Sequence, residues 1–173
     1  MVPVIETARL RLRAFEAADL EVQTAILQDA EVVRHLGPPH RREDVWRRML
    51  GARALWEVIG YGYWAVERIE DGRLIGQAGF ADFKRDMTPS IEGLPEMGWI
   101  FASDVHGKGY ASEAVTAGLE WADEALKGQE FVAIIAPDNE PSIKLAQRSG
   151  FTSREEARYK DETVLLFRRP PNF

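Results

Sequence analysis

The sequence predicts one α/β domain of the α+β type, with a central mixed, mostly antiparallel sheet flanked by helices. The length of 173 residues fits a single domain over residues 1–173. Apolar residues make up 45% of the chain and charged residues 29%, a composition typical of a globular protein with its own core. Consecutive strand patterns early in the chain favour antiparallel pairing, and a strand–helix–strand order later predicts a crossover.

In the first half, apolar and charged residues alternate in the first predicted strand, and helical spacing of apolar residues predicts the helices that follow. Val45, Met49, Ala52 and Trp56 fall on one helical face, so a long amphipathic helix is expected over residues 41–59. The predicted elements are a strand at 8–13, helices at 19–28, 29–36 and 41–59, and a hairpin with strands at 61–68 and 73–83.

In the second half, two prolines and a glycine predict a loop over residues 86–95. Residues 131–136 form a continuous apolar run, which is typical of a buried strand. The predicted elements are a strand at 96–103, a helix at 108–126, a strand at 131–136, a short helix at 141–149, and a closing hairpin from 151 whose last strand covers 163–168.

Composition excludes several kinds of site. Cysteine is absent, which rules out disulfides, thiolate metal sites and cysteine nucleophiles. His35, His40 and His106 lack the i, i+4 spacing of a helical metal site, so no metal is expected. The net charge is −6 and neither half of the chain is basic, which argues against nucleic-acid binding.

Hydropathy argues against a membrane protein. The longest run without a charge covers residues 58–66, far short of a membrane span. The first residues, MVPVIETARLRLR, carry charges where a signal peptide has its apolar stretch. A cytoplasmic protein with no membrane partner is therefore expected.

The segment from Asp104 to Ala111, DVHGKGYA, lies between a predicted strand and a long predicted helix. Glycines allow a ligand to approach the backbone closely, and the first N–H groups of a helix attract anions such as phosphate or pyrophosphate. The segment is not a P-loop, because no Gly-Lys-Ser/Thr follows at the required spacing, and it lacks the third glycine of a dinucleotide fingerprint. The alternative is a tight turn with no ligand.

A second segment has Asn139 and Ser142 near the start of the short helix, Pro141 in its first turn and Gly150 just past its end. These residues are typical of a well-capped helix. Capping alone would explain them.

Together the two segments resemble the GNAT superfamily of N-acetyltransferases, and within it the RimJ/RimL-like branch. The superfamily signature is Arg or Gln, two spacers, Gly, one spacer, then Gly or Ala; His106, Gly109 and Ala111 occupy these positions. The run YASEA, from Tyr110 to Ala114, is common in that branch.

Two further motifs extend the resemblance over nearly the whole chain. The family's later element, Asn, two spacers, Ser, and then Gly-Phe, is matched by Asn139, Ser142, Gly150 and Phe151. The opening ETARLRLR, residues 6–13, is similar to the first strand of the RimJ/RimL-like branch.

The resemblance implies acetyl-coenzyme A as donor and a primary amine as acceptor, either a protein N-terminal α-amine or a small molecule. The amine would attack the thioester directly in a ternary complex. The family strands that correspond to residues 96–103 and 131–136 splay apart into a V-shaped cleft. The residues implied to bind the coenzyme are Trp99, Ile100 and Phe101 at the pantetheine arm, His106, Gly107, Lys108, Gly109, Tyr110 and Ala111 around the pyrophosphate, and Asn139 and Ser142.

Two positions depart from the family pattern. His106 stands where Arg or Gln is more common, but a phosphate seat built mostly from backbone should survive this change. Many family members carry, on the short helix, a tyrosine that protonates the departing thiolate, and the matching residue here is Ala146. Ser142 or water would then supply that proton.

Glu96 is the candidate catalytic base, because it opens the strand at the place where the family often puts its base. A base is needed because an alkylamine has a pKa near 10 and must lose a proton before it attacks. A backbone N–H near Ile100 would stabilise the oxyanion. Glu92 is the reserve candidate, and the alternative for Glu96 is a salt bridge.

Other interpretations stay open. The arginines of residues 41–53 are expected on a solvated helix face, with an acidic partner or the adenosine phosphate of the coenzyme as alternatives. A coenzyme A binding module with little or no catalysis is the alternative function. The protein is expected to be a monomer or a homodimer, with the strand at 163–168 exposed and available to pair with a second copy.

Overall fold

The computed structural model describes all residues from Met1 to Phe173. Its strands are β1 (Ile5–Glu6), β2 (Leu10–Arg13), β3 (Tyr63–Arg68), β4 (Arg73–Ala81), β5 (Met87–Thr88), β6 (Glu96–Phe101), β7 (Phe131–Ile135), β8 (Ser153–Tyr159) and β9 (Glu162–Arg169). Its helices are α1 (Leu20–Gln28), α2 (Ala30–Val33), α3 (Arg42–Val58), α4 (Tyr110–Ala125) and α5 (Glu140–Arg148).

The nine strands form one sheet in the order β1-β2-β3-β4-β6-β7-β9-β8-β5. β6 and β7 are parallel, with Glu96 opposite Val132, whereas the hairpin strands pair antiparallel. This confirms the predicted mixed, mostly antiparallel sheet of an α/β fold. No helix is long and apolar enough to cross a lipid bilayer.

Four details differ from the sequence predictions. The short strand β1 (Ile5–Glu6) lies before the predicted first strand and was not expected. The second helix covers only Ala30–Val33, because the chain turns before Gly37, whose φ is 109°. The predicted loop at 86–95 contains the short strand β5, which pairs with Arg158 and Tyr159 of β8. The expectation of an exposed last strand is wrong, because β9 pairs with β7 on one side and β8 on the other.

The chain forms two compact units that interleave in sequence. The first unit comprises Met1–Gly79 and Trp99–Ala117, and the second comprises Phe80–Gly98 and Gly118–Phe173. The single domain expected from the length stays a prediction.

In the first unit, the long helix α3 turns the predicted apolar face inward. Val45, Met49, Ala52 and Trp56 on this face are all buried, because they recur at helical spacing. The Trp56 ring meets the edge of Trp64 of β3 with ring centroids 4.8 Å apart. This contact fixes the helix on the hairpin, since large aromatic rings dominate the energetics of a core.

In the second unit, the apolar run of β7 lies inside the sheet, between β6 and β9. β7 pairs with β9 over its whole length, from Phe131 opposite Arg169 to Ile135 opposite Leu165. β8 then pairs with β9, and β5 covers only the last two residues of β8. Buried hydrophobic side chains from β5, β7, β8 and β9 pack into one cluster beside this part of the sheet.

Gly76 of β4 allows a close approach between β4 and β6 within the first unit. A Cβ built at Gly76 would lie 2.3 Å from the carbonyl oxygen of Ile100 and 2.9 Å from Cα of Phe101. No real Cβ tolerates such distances, so any larger residue would move backbone that carries two of the predicted coenzyme-binding residues.

We therefore expect Gly76→Ala to lower the free energy of unfolding by about 1–3 kcal/mol, the usual range for overpacking. The control is Gly51→Ala in α3, where no atom lies within 4 Å of the added Cβ. This change should raise stability by about 0.5–1 kcal/mol, because alanine is the better helix former. Urea unfolding of both variants measures the difference, and an unchanged Gly76→Ala would contradict the close approach.

Candidate active site

The turn between β6 and α4 has left-handed backbone at both of its glycines. The φ angle is 74° at Gly107 and 82° at Gly109, values that other residues adopt only with strain. No atom lies within 4 Å of the position that a Cβ of Gly107 would take. The turn is exposed, so a ligand can reach its backbone as the sequence predicts.

The first turn of α4 presents N–H donors that the helix itself does not use. Its first backbone hydrogen bond joins the N–H of Glu113 to the carbonyl oxygen of Gly109 at 3.1 Å. The N–H groups of Tyr110, Ala111 and Ser112 precede this bond and have no acceptor inside the helix. With the positive end of the helix dipole, they form a surface suited to an anion.

The long side chains of the turn bond to the backbone just before it. Nε2 of His106 lies 2.9 Å from the carbonyl oxygen of Phe101. Nζ of Lys108 donates to the carbonyl oxygen of Asp104 at 3.0 Å. Because both side chains bond to the protein backbone, these contacts support an anion-binding turn made mainly from backbone N–H groups. The side chain of residue 106 would then matter less for anion binding.

The strand β6 leads into this turn and is only partly covered. Trp99 and Ile100 are half-buried, whereas Phe101 is buried. These three residues belong to the same unit as the turn, so the predicted pantetheine and pyrophosphate segments lie together. Glu96, Asn139 and Ser142 belong to the second unit.

Glu96 is buried, with 4% of its surface exposed, and forms an ion pair with Arg85. Nε of Arg85 donates to Oε2 at 2.7 Å and Nη2 donates to Oε1 at 3.0 Å. Nη1 of the same guanidinium donates to the Tyr159 hydroxyl at 2.9 Å, and the guanidinium stacks 4.8 Å from the centre of the Phe83 ring. Glu96 is therefore held in one orientation by two parallel charged hydrogen bonds.

The pKa of Arg85 is raised. Burial of the guanidinium lowers it, but the hydrogen bond and negative charge of Glu96, and then the Tyr159 hydroxyl, outweigh burial. Arg85 is consequently a permanent cation beside the candidate base.

The Asn139 side chain caps α5, as the sequence indicates. Its Oδ1 accepts a hydrogen bond from the N–H of Ser142 at 3.3 Å, and Pro141 stands in the first turn. The cap uses the backbone of Ser142 rather than its hydroxyl. Ala146, which stands where many relatives have a tyrosine, is fully buried, so position 146 faces the core.

The family model for the acetyltransferase (GNAT) domain matches residues 9–152. The chain belongs to the GNAT family. It is an acetyl-coenzyme A dependent N-acetyltransferase, as the motifs predicted.

Individual proteins support the same assignment. An uncharacterised N-acetyltransferase of Bacillus subtilis, YoaA, is 28% identical over 153 residues, which cover 87% of this chain and 84% of YoaA. A Bordetella pertussis protein described as a GnaT-family acetyltransferase is 29% identical, with a TM-score of 0.85 over 96% of this chain and 99% of that chain. RimL, a ribosomal L7/L12 α-N-protein acetyltransferase, shares the fold at a TM-score of 0.78 and 17% identity, over 98% of both chains. These neighbours agree with the GNAT fold.

The other residues that the sequence suggested for a functional role lie at the surface. Glu92, the reserve base, is exposed and 3.5 Å from the ammonium of Lys84. Arg41, Arg42 and Arg47 of the arginine group pair with nearby carboxylates, in keeping with a solvated helix face.

Sequence reasoning missed the partners of the predicted residues. Arg85 lies in a loop, and nothing in its local pattern points to Glu96, eleven positions away. Arg9 and Glu113, which contact each other beside the glycine turn, lie in two of the motifs that carry the GNAT resemblance. The opposite charges of Arg9 and Glu113 could have indicated an ion pair, but sequence spacing alone does not show which charged residues meet.

We expect Arg85→Met to lower the free energy of unfolding by about 3–5 kcal/mol, because it leaves the Glu96 carboxylate buried without its partner. Replacing both residues, as Arg85→Met with Glu96→Leu, should recover most of that loss. A double-mutant cycle by urea unfolding measures the coupling. Additive effects would show that the two side chains do not depend on each other.

Proposed function

We propose that this GNAT protein transfers the acetyl group of acetyl-coenzyme A to a primary amine by direct attack in a ternary complex. The observation that carries the proposal is the exposed glycine turn at the start of α4, with left-handed backbone at Gly107 and Gly109. Its N–H donors suit the two phosphates of a pyrophosphate. RimL, which shares the fold, has been solved in complex with coenzyme A.

The coenzyme would use the residues that the resemblance implies. Backbone groups of Trp99, Ile100 and Phe101 would pair with the pantetheine arm in the manner of an added strand. The turn from His106 to Ala111 would hold the pyrophosphate. Asn139 and Ser142 would reach the donor from the start of α5.

Glu96 would serve as the base through a water molecule. Both of its oxygens already accept hydrogen bonds from Arg85, and little of its surface is exposed, so an intervening water suits it better than direct contact with the amine. The protonated amine would first pass one proton through the water to Glu96, and its nitrogen would then attack the thioester carbon. As the carbon–sulfur bond breaks, the thiolate would take a proton from Ser142 or water, and the nitrogen of the tetrahedral intermediate would give its second proton to that same hydroxyl or water.

The acceptor is proposed as a protein N-terminal α-amine or a small-molecule amine. Several structures of this fold belong to acetyltransferases of ribosomal proteins, which favours the N-terminal amine. These neighbours are 16–19% identical to this chain, a level that shows a shared fold only. The acceptor must therefore be found by experiment.

The first experiment combines calorimetry of acetyl-coenzyme A with an assay of free thiol against small amines and N-terminal peptides. Binding with thiol release for one acceptor class supports the proposal and identifies the substrate. Absence of coenzyme binding would reduce the glycine turn to a structural turn and overturn it.

We expect Glu96→Gln to lower kcat by about 10²-fold, the lower end of the usual contribution of a general base. The Kd of coenzyme A should change less than about twofold, since Glu96 is not assigned to coenzyme binding. The matched control is Glu92→Gln, an exposed carboxylate that should leave kcat unchanged. Steady-state kinetics with circular dichroism of each variant measures this, and an unchanged kcat in Glu96→Gln would remove Glu96 from the mechanism.

For Ser142→Ala we expect kcat to fall by about 10-fold, because water can replace the hydroxyl only in part. The helix cap should persist, since it uses the Ser142 backbone N–H. Ser149→Ala, at the other end of α5, is the control. A weaker coenzyme affinity with normal kcat would instead show that Ser142 only positions the donor.

A further inference from the structure

Arg9, the residue just before β2, contacts the glycine turn. Nη1 of Arg9 donates to the carbonyl oxygen of Lys108 at 2.9 Å. Its guanidinium lies 4.3 Å from the centre of the Tyr110 ring, and its Nη2 would be 3.3 Å from a Cβ at Gly109. Arg9 therefore contacts Lys108 and Tyr110 of the proposed pyrophosphate seat and lies beside Gly109 between them.

Glu113 of α4 holds Arg9 in this position. Its Oε2 accepts from Nε of Arg9 at 2.7 Å, and its Oε1 accepts from the backbone N–H of Arg9 at 2.9 Å. The Thr7 hydroxyl donates to the same Oε1 at 2.6 Å. The pKa of Glu113 is lowered, because the hydrogen bonds from Thr7 and Arg9 outweigh a burial that raises it.

The hydrogen bond from Arg9 to the Lys108 carbonyl fixes the direction in which the N–H of Gly109 points. In a trans peptide the carbonyl and the following N–H point in opposite directions. When Arg9 holds the carbonyl of Lys108, the N–H of Gly109 must point away from Arg9. Glycine adopts many backbone conformations, so this bond limits those that are open to the turn.

We propose that Arg9, held by Glu113, is a positioning residue for the pyrophosphate of coenzyme A. This inference rests on the proposed coenzyme seat and names a group that keeps the seat in its binding conformation.

The test compares two acetyl donors, acetyl-coenzyme A and S-acetylpantetheine, which lacks the pyrophosphate and nucleotide. In Arg9→Met, the Kd of coenzyme A should rise by at least about 10-fold, the usual effect of losing a hydrogen bond to a charged group. The KM for S-acetylpantetheine and the kcat at saturating donor should stay within about twofold. Arg9→Lys should restore only part of the affinity, because an ammonium cannot make the same forked contacts.

Arg11→Met is the matched control. Arg11 stands two residues further along, pairs with Glu6 and Glu67, and should leave the Kd of coenzyme A unchanged. If Arg9→Met does not fold, Glu113→Gln replaces it in the test. Glutamine has the shape of glutamate but lacks the negative charge that holds Arg9. The Kd of coenzyme A for Glu113→Gln should rise by about threefold or more.

An unchanged Kd in Arg9→Met would overturn the inference. Equal losses with both donors would also overturn it, because they would show a general structural role. Failure of the wild-type protein to bind coenzyme A is a separate result, which would overturn the proposed seat itself.

Discussion

The left-handed backbone at Gly107 and Gly109 is the constraint on which the proposed coenzyme seat depends. It turns the chain into α4 at Tyr110 after β6 has ended at Phe101, and this stretch from strand to helix start belongs to one unit. A side chain at either position would add strain and cover backbone that the proposed pyrophosphate would contact. The neighbouring side chains, His106 and Lys108, bond to the preceding segment and leave the donors of the helix start uncovered.

In the second unit, the Glu96 carboxylate must be stabilised in a buried place and yet be free to accept a proton if it is to act as the proposed base. Glu96 is buried where an unpaired carboxylate would be costly, and Arg85 offsets that cost with two hydrogen bonds. The same bonds fix the carboxylate in one direction, as the proposed base would need, but each oxygen keeps only one lone pair to receive a proton. A water-mediated role resolves this conflict, because a third hydrogen bond to a carboxylate oxygen is still available.

Sequence patterns predicted the elements well because burial is periodic. The apolar face of α3 and the uninterrupted run of β7 are local signals, and both appear as expected. The interior place of β9 could not be predicted, because its own residues do not specify that it inserts between β7 and β8. The same limit applies to the site. The turn at Gly107 was found from its glycines, but the ion pair of Arg85 with Glu96 joins a loop to a strand and follows no spacing rule.

The partial cover that β5 gives to β8 has a consequence for association. Beyond Arg158 and Tyr159, the outer edge of β8 has no strand beside it, so its backbone could pair with another chain. Arg154, Glu155 and Glu156 on this strand are exposed and charged. Charged residues on an open strand discourage sheets from joining edge to edge. The protein thus carries its own protection against aggregation at the place where its sheet is least complete.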